Sequence, residues 1–218
     1  MRKSLIIENI VKKITKNILS EGSLDKPILD ISREVIRLFK NEESDEFTYV
    51  FYRSGEEIQL LVEVDFEVVE NHNEPFEVYG EAGYDELYVL IIYDPQVFPS
   101  SMNDLVAEVK ETITHELEHI VQQNFEDAYI SPHESDYSQD KRGGGFNYYV
   151  KKIEIPAFVK GLIKRARTKK ISLDMAMDEW YKENHRNFEN ENDWKDVKRI
   201  WIDYANEMRK KEKVKKFK

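Results

Sequence analysis

The chain contains no cysteine, which removes disulfides, thiolate metal sites, iron–sulfur clusters and cysteine nucleophiles together. Any metal must be held by His and carboxylates. No stretch approaches the roughly 20 apolar residues that cross a bilayer; the nearest is the short segment Leu87 to Tyr93. The opening residues, Met1-Arg2-Lys3-Ser4-Leu5-Ile6-Ile7-Glu8-Asn9, put Glu8 and Asn9 where a secretory leader needs an unbroken apolar run. The expectation is a protein that does not enter the membrane and is not exported by a signal peptide. Basic residues are also scarce in one region: from Asn41 to Asp94, Arg53 stands alone against 16 acids.

What is present fits a single folded domain. The 218 residues are 40% hydrophobic and 12% aromatic, enough for one core, while 35% charged residues give an ionic surface. The net charge of -10 is unevenly spread, because Lys160 to Lys170 carries six bases and no acid, and Arg209 to Lys218 carries seven bases and one acid. Solvated faces account for such runs, and so do an acidic cleft rim or a basic tail that meets a partner. None of these names a partner, and nucleic acid is not the expected one.

The apolar period divides the chain. Leu5, Ile6, Ile10, Ile14 and Ile18 form one helical stripe, and Val35, Ile36 and Phe39 a second, so residues 1–40 read as two amphipathic helices. Residues 46–94 change to a period of two, clearest at Ile58, Leu60, Val62, Val64, Phe66 and Val68. Phe47 to Arg53, Phe76 to Tyr79 and Glu86 to Tyr93 supply three more strands. Their short connections predict a mostly antiparallel sheet with acids on its open face. Ser101 and Asp104 resemble a capping box that opens a helix over 101–124. Glu126 to Gly145 reads as a loop, and residues 149–213 as C-terminal helices near Val150 to Lys169, Ser172 to Asn187 and Trp194 to Lys213.

The helix over 101–124 carries His115-Glu116-Leu117-Glu118-His119. Residues four apart on a helix differ by about 40° in direction and about 6 Å in height, so His115 and His119 can grip one ion. Glu116 points between the direction of the two histidines and that of the apolar stripe, and can take a proton from a water held by that ion. Two imidazoles and one carboxylate would leave a fourth position open, a donor set that suits one zinc ion. The third ligand is less defined. Glu154, at the start of the next helix, is one option, with Ala157 and Gly161 small enough to let that helix come close; His133, in the long loop, is another. His133, Tyr148 and Tyr149 are candidates for stabilising an oxyanion. His72 and His185 lie in polar surroundings and are not expected to be ligands.

Thr114-His115-Glu116-Leu117-Glu118-His119, followed at a distance by Glu154-Ile155-Pro156-Ala157, resembles the gluzincin-type metallopeptidases. More narrowly, Leu87 to Lys170 is similar to uncharacterised HExxH proteins of tailed bacteriophages. The resemblance implies that His115, His119 and Glu154 hold zinc, that Glu116 is the general base and that the activity is endopeptidase. It also implies a peptide or protein substrate and a location in the cytoplasm, including that of an infected host, or in a virion. The expected fold is then α+β and zincin-like: a mostly antiparallel sheet packed on the HExxH helix, with N-terminal and C-terminal helices. Pro156 departs from the pattern and requires its helix to begin near Ile153. The acids between Asn41 and Asp94 point to basic peptides. A zinc-stabilised protein of the virion or host interface without activity, and a zinc amidase of cell-wall peptides, are the competing readings.

Overall fold

A computed structural model describes residues 24–53, 55–70, 74–96, 102–124 and 144–215. The expected helix over Leu5 to Ile18, the cap residue Ser101, the loop carrying His133, and His72 lie outside the described residues. The elements are α1 (Asp25–Asn41), β1 (Asp45–Arg53), β2 (Glu56–Val68), β3 (Phe76–Ala82), β4 (Glu86–Tyr93), α2 (Met102–Asn124), α3 (Gly144–Tyr149), α4 (Glu154–Lys169), α5 (Leu173–Asn184) and α6 (Glu191–Lys215), with a 3-10 turn at His185–Asn187. The fold is α+β. None of the described helices is long and apolar enough to cross a membrane.

The four strands form one sheet in the order β1-β2-β4-β3. β1 and β3 are antiparallel to their neighbours, but β2 and β4 run parallel, from Leu61 opposite Glu86 to Val68 opposite Tyr93. The sheet is therefore mixed: two of its three pairings are antiparallel, as expected, and the central one is parallel, which short connections did not predict. The chain does not lay β3 beside β2. Instead β4 enters between them, and β3 becomes an edge strand among the described residues. Burial gives the reason, since β4 alternates Leu87, Val89, Ile91 and Tyr93 into the core while Tyr88, Leu90 and Ile92 on its other face are still half-buried, which suits a central strand.

One face of the sheet is covered by α1 and α2. Ile31, Val35 and Leu38 from α1, Leu105, Val109, Ile113 and Leu117 from α2, and Leu60, Val62, Val64, Val89 and Ile91 from the strands make one apolar core. The open face carries Glu57, Glu63 and Glu67, all exposed, as the twofold pattern of β2 requires. That pattern ends early, because Val68 is 56% exposed.

A second core lies on the other side of α2. It is built from α3 to α6, with Trp180, Trp194 and Trp201 packed around Tyr149, Phe158 and Phe188. α4 joins the two cores by running antiparallel to α2 over much of its length. Its register can be followed through contacts: the His115 and Phe158 rings are 4.4 Å apart, Glu118 pairs with Lys160, Glu111 with Arg165 at 3.1 Å, and Asp104 with Lys169 at 2.9 Å. At Gly161 a Cβ would lie 3.0 Å from the Glu111 carbonyl oxygen, so the small residue permits the approach.

The start of α4 follows from Pro156. Its ring blocks a helical bond to the carbonyl four residues back and is tolerated in a first turn, where it sits with Glu154. A helix continuous from Val150 is thereby excluded. The chain forms the short α3 first, between the stretch expected to be loop and the helix expected from Val150, and then turns at residues 150–153 with Glu154 and Ile155 donating to the Lys151 carbonyl.

β3 meets α2 as closely as α4 does. A Cβ on Gly80 would lie 2.6 Å from Thr112 Cγ2 and 2.7 Å from Glu116 Cγ, nearer than real contacts allow. Overpacking of this kind costs about 1–3 kcal/mol. Gly80→Ala is expected to lower the melting temperature by about 2–8 °C, with part of the loss recovered when Thr112→Ser removes the methyl group. An unchanged melting temperature would show that the edge strand is not held against α2.

Candidate metal centre and cleft

Two turns of α2 and the first turn of α4 converge on one point. His115 Nε2 and His119 Nε2 are 3.0 Å apart, and Glu154 Oε2 is 3.5 Å from the first and 3.4 Å from the second. Among the described residues this is the one His/carboxylate group able to hold a metal ion. Both imidazoles are half-buried and Glu154 is buried. Glu154 Oε2 has no hydrogen-bond partner among the described residues, although a buried carboxylate oxygen ordinarily has one. The two ring nitrogens face it and each other, so all three donors point to a common centre that a cation would satisfy.

The charges follow the same geometry. Burial alone would push the Glu154 carboxyl up, but the two imidazoles outweigh it and hold its pKa at about 2. Burial opposes charge on His119 as well, and the Glu154 contact overcomes it and raises the imidazole above its ordinary value. Glu116, whose carboxylate lies between the motif helix and the Gly80 backbone, is pushed up by burial against the lowering influence of His115 and His119.

The surrounding residues fix these groups. His119 Nδ1 lies 3.3 Å from Gln122 Oε1, and Gln122 Nε2 donates to the Ile153 carbonyl at 3.0 Å. Gln122 thus favours the His119 tautomer with Nε2 free as a ligand, and ties that ring to the residue just before Glu154. Phe158 packs edge-on to His115 and stacks on Trp201 at 5.1 Å, which seats His115 against the aromatic core. Sequence spacing flagged neither residue as functional, though Gln122 is one helical turn beyond His119 on the same side.

Tyr148 and Tyr149 have different surroundings. The Tyr148 hydroxyl lies by Glu154, and burial, the Glu154 charge and the hydrogen bond to it all raise its pKa, so it remains a donor. Tyr149 is buried among Trp180, Phe188 and Trp201, and its hydroxyl accepts from Asn187 at 2.9 Å. Adjacent residues on a helix point about 100° apart, so α3 sends Tyr148 to the cavity and Tyr149 to the core. His185 is exposed on the 3-10 turn, with Nδ1 2.9 Å from the Lys182 carbonyl.

A cavity of about 270 Å³ opens at this point. His115, Glu116 and Tyr148 form one end of its wall; Tyr79 and Gly80 of β3 flank it; Glu108, Glu111, Arg165 and Glu183 lie at the other end. Glu108, Glu111 and His115 lie on one stripe of α2, so the polar side of this helix is turned toward α4 and the cavity. The chain matches no protein-family model, no curated protein and no solved structure.

Two outcomes are expected from these contacts. Gln122→Ala should weaken metal affinity about 10- to 100-fold, measured by competition with a chromophoric chelator; unchanged affinity would exclude a positioning role. Burial and the nearby Glu111 and Glu183 charges push the Glu108 carboxyl up to about 8. Between an unfolded value near 4.5 and about 8 the folded chain holds more protons than the unfolded one, so stability falls as pH rises through this window. Glu108→Gln removes that loss and should gain on the order of 1–3 kcal/mol over the parent by pH 8, relative to pH 4.5. Parallel stability–pH curves for the two proteins would refute the assignment.

Proposed function

We propose that the chain is a zinc-dependent peptidase of gluzincin-like architecture, with His115, His119 and Glu154 as ligands and Glu116 as general base. The observation that carries this reading is the donor triangle of 3.0, 3.4 and 3.5 Å. Neighbouring donors in a tetrahedral site with bonds of about 2.0–2.1 Å are separated by about 3.3–3.4 Å. Three protein ligands of this kind leave one position for substrate or water, whereas structural zinc sites are closed by four. That His115 and Glu116 line a cavity favours catalysis over a purely structural ion.

A zinc ion held here would supply Lewis acidity, bringing the pKa of a coordinated water to about 7 and polarising a carbonyl. The protein's own groups carry the proton and the charge. Glu116, its pKa raised by burial, is suited to take a proton from the attacking water and return it to the leaving amine. Tyr148, kept protonated and part-exposed on the cavity wall, can donate to the oxyanion that forms at the carbonyl. β3, an edge strand among the described residues, offers backbone groups beside Glu116 with which an extended peptide can pair, the Val78 N–H being held by Glu108. This edge is the feature that favours peptides over other substrates with hydrolysable bonds.

Glu116→Gln is expected to retain zinc at one ion per chain and to lose hydrolysis of a casein or mixed-peptide substrate by about 10²- to 10⁴-fold. Tyr148→Phe should lower kcat about 10- to 100-fold with little change in KM. If the zinc-loaded parent and Glu116→Gln hydrolyse peptides equally well, Glu116 is not the base. If the loaded parent cleaves no peptide, the peptidase reading falls.

A further inference from the structure

The end of the cavity away from the donor triangle is built from charges that the proposed reaction does not use. Arg165, 4% exposed, donates through Nη1 to Glu111 at 3.1 Å and to Glu183 at 2.9 Å, and its Nε has no acceptor among the described residues. Glu108 stands on the same wall and makes no ion pair with another described residue; a backbone bond from Val78 holds it. Two carboxylates thus share one guanidinium, and the Glu108 carboxyl beside them has no cation of its own among the described residues. Lys169 of the adjoining groove is already engaged by Asp104 and Glu179. Lys182 and Arg186 lie exposed at the outer rim.

We infer that this end of the cavity is a specificity pocket for a lysine or arginine side chain next to the scissile bond, received by Glu108 and Glu183. The inference rests on the peptidase reading. A half-buried carboxyl without a counter-charge is costly to ionise, and a substrate cation offsets that cost through charge-assisted hydrogen bonds that a neutral side chain cannot make. An entering peptide brings the kind of group that the wall lacks, a cation for the Glu108 carboxyl. Because the pocket is continuous with the wall formed by His115 and Glu116, a side chain held there belongs to a residue close to the bond being cut. Selection for basic peptides is thereby placed on α2 and α5. Of the acids between Asn41 and Asp94 expected to provide it, Glu57, Glu63 and Glu67 of β2 lie on the far, open face of the sheet.

The test compares peptides that carry lysine, norleucine or glutamate at each position flanking the cleaved bond. With zinc-loaded protein, kcat/KM for lysine at one position should exceed that for norleucine by about 10- to 100-fold, and glutamate should be poorest. In Glu108→Gln and in Glu183→Gln the lysine-to-norleucine ratio should fall below about threefold; taken within one variant, this ratio is insensitive to the fraction of folded protein. The same peptides are titrated calorimetrically into Glu116→Gln protein, where lysine should again bind more tightly. Cleavage without a preference for lysine overturns the pocket and leaves the peptidase reading standing. Tighter lysine binding with no cleavage of any peptide by the parent upholds the pocket and removes the peptidase reading. Neither cleavage nor preferential binding overturns both.

Discussion

The close antiparallel contact of α2 with α4 is the constraint on which the rest depends. It brings a carboxylate 35 residues beyond His119 in the chain to within 3.5 Å of both motif histidines. Three features set it. Gly161 removes the side chain that would meet the Glu111 carbonyl, Pro156 fixes where α4 can begin, and the Glu118–Lys160 and Glu111–Arg165 pairs fix its register. Removing one partner of such a buried pair costs about 3–5 kcal/mol, since the other charge is left without compensation. A slip by one turn would break both pairs together and carry Glu154 about 5.4 Å from the imidazoles.

This arrangement makes α2 unusual among the helices of the molecule. Its apolar stripe packs on the sheet, while its polar side, with Glu111, Glu116 and Glu118, is buried against α4 and the cavity. The acids there are stabilised by specific partners or retained at the site where chemistry is proposed. The aromatic core behind α4 serves the same geometry. Phe158 stacks on Trp201 and meets His115 at its edge, and Trp201 Nε1 donates to the Tyr149 carbonyl at 3.0 Å. The C-terminal helices therefore do more than cover the protein. They hold both α4 and the short α3, which delivers Tyr148.

On the opposite side, Gly80 brings the edge strand against the helix next to Glu116. That closeness depends on β4 having taken the place between β2 and β3, for otherwise the strand beside α2 would not be an edge strand among the described residues. Local pattern gave the four strands to within a few residues but not their order. Short connections favour neighbouring antiparallel strands as a prior; the apolar character of β4 on both sides overrides it, since a strand half-buried on its second face is most stable in the middle of a sheet.

The sequence by itself determined whatever a single helix or strand can encode. The spacing of His115 and His119 is set by the 3.6-residue period, the direction of Glu116 by the same period, and the buried side of β2 by strict alternation. The need for Pro156 to lie in a first turn was legible for the same reason, because it concerns one residue and the carbonyl four before it. Only the tertiary structure decided that Glu154 joins the two histidines, that Gln122 bridges the ligand elements, that Tyr148 and not Tyr149 lines the cavity, and that Glu108, Glu111 and Glu183 gather around Arg165. Each is a relation between elements separated by turns or loops, so it depends on the register and rotation of packed helices. Those are fixed by side-chain volume and buried charge at the interface, which no periodicity within one segment records.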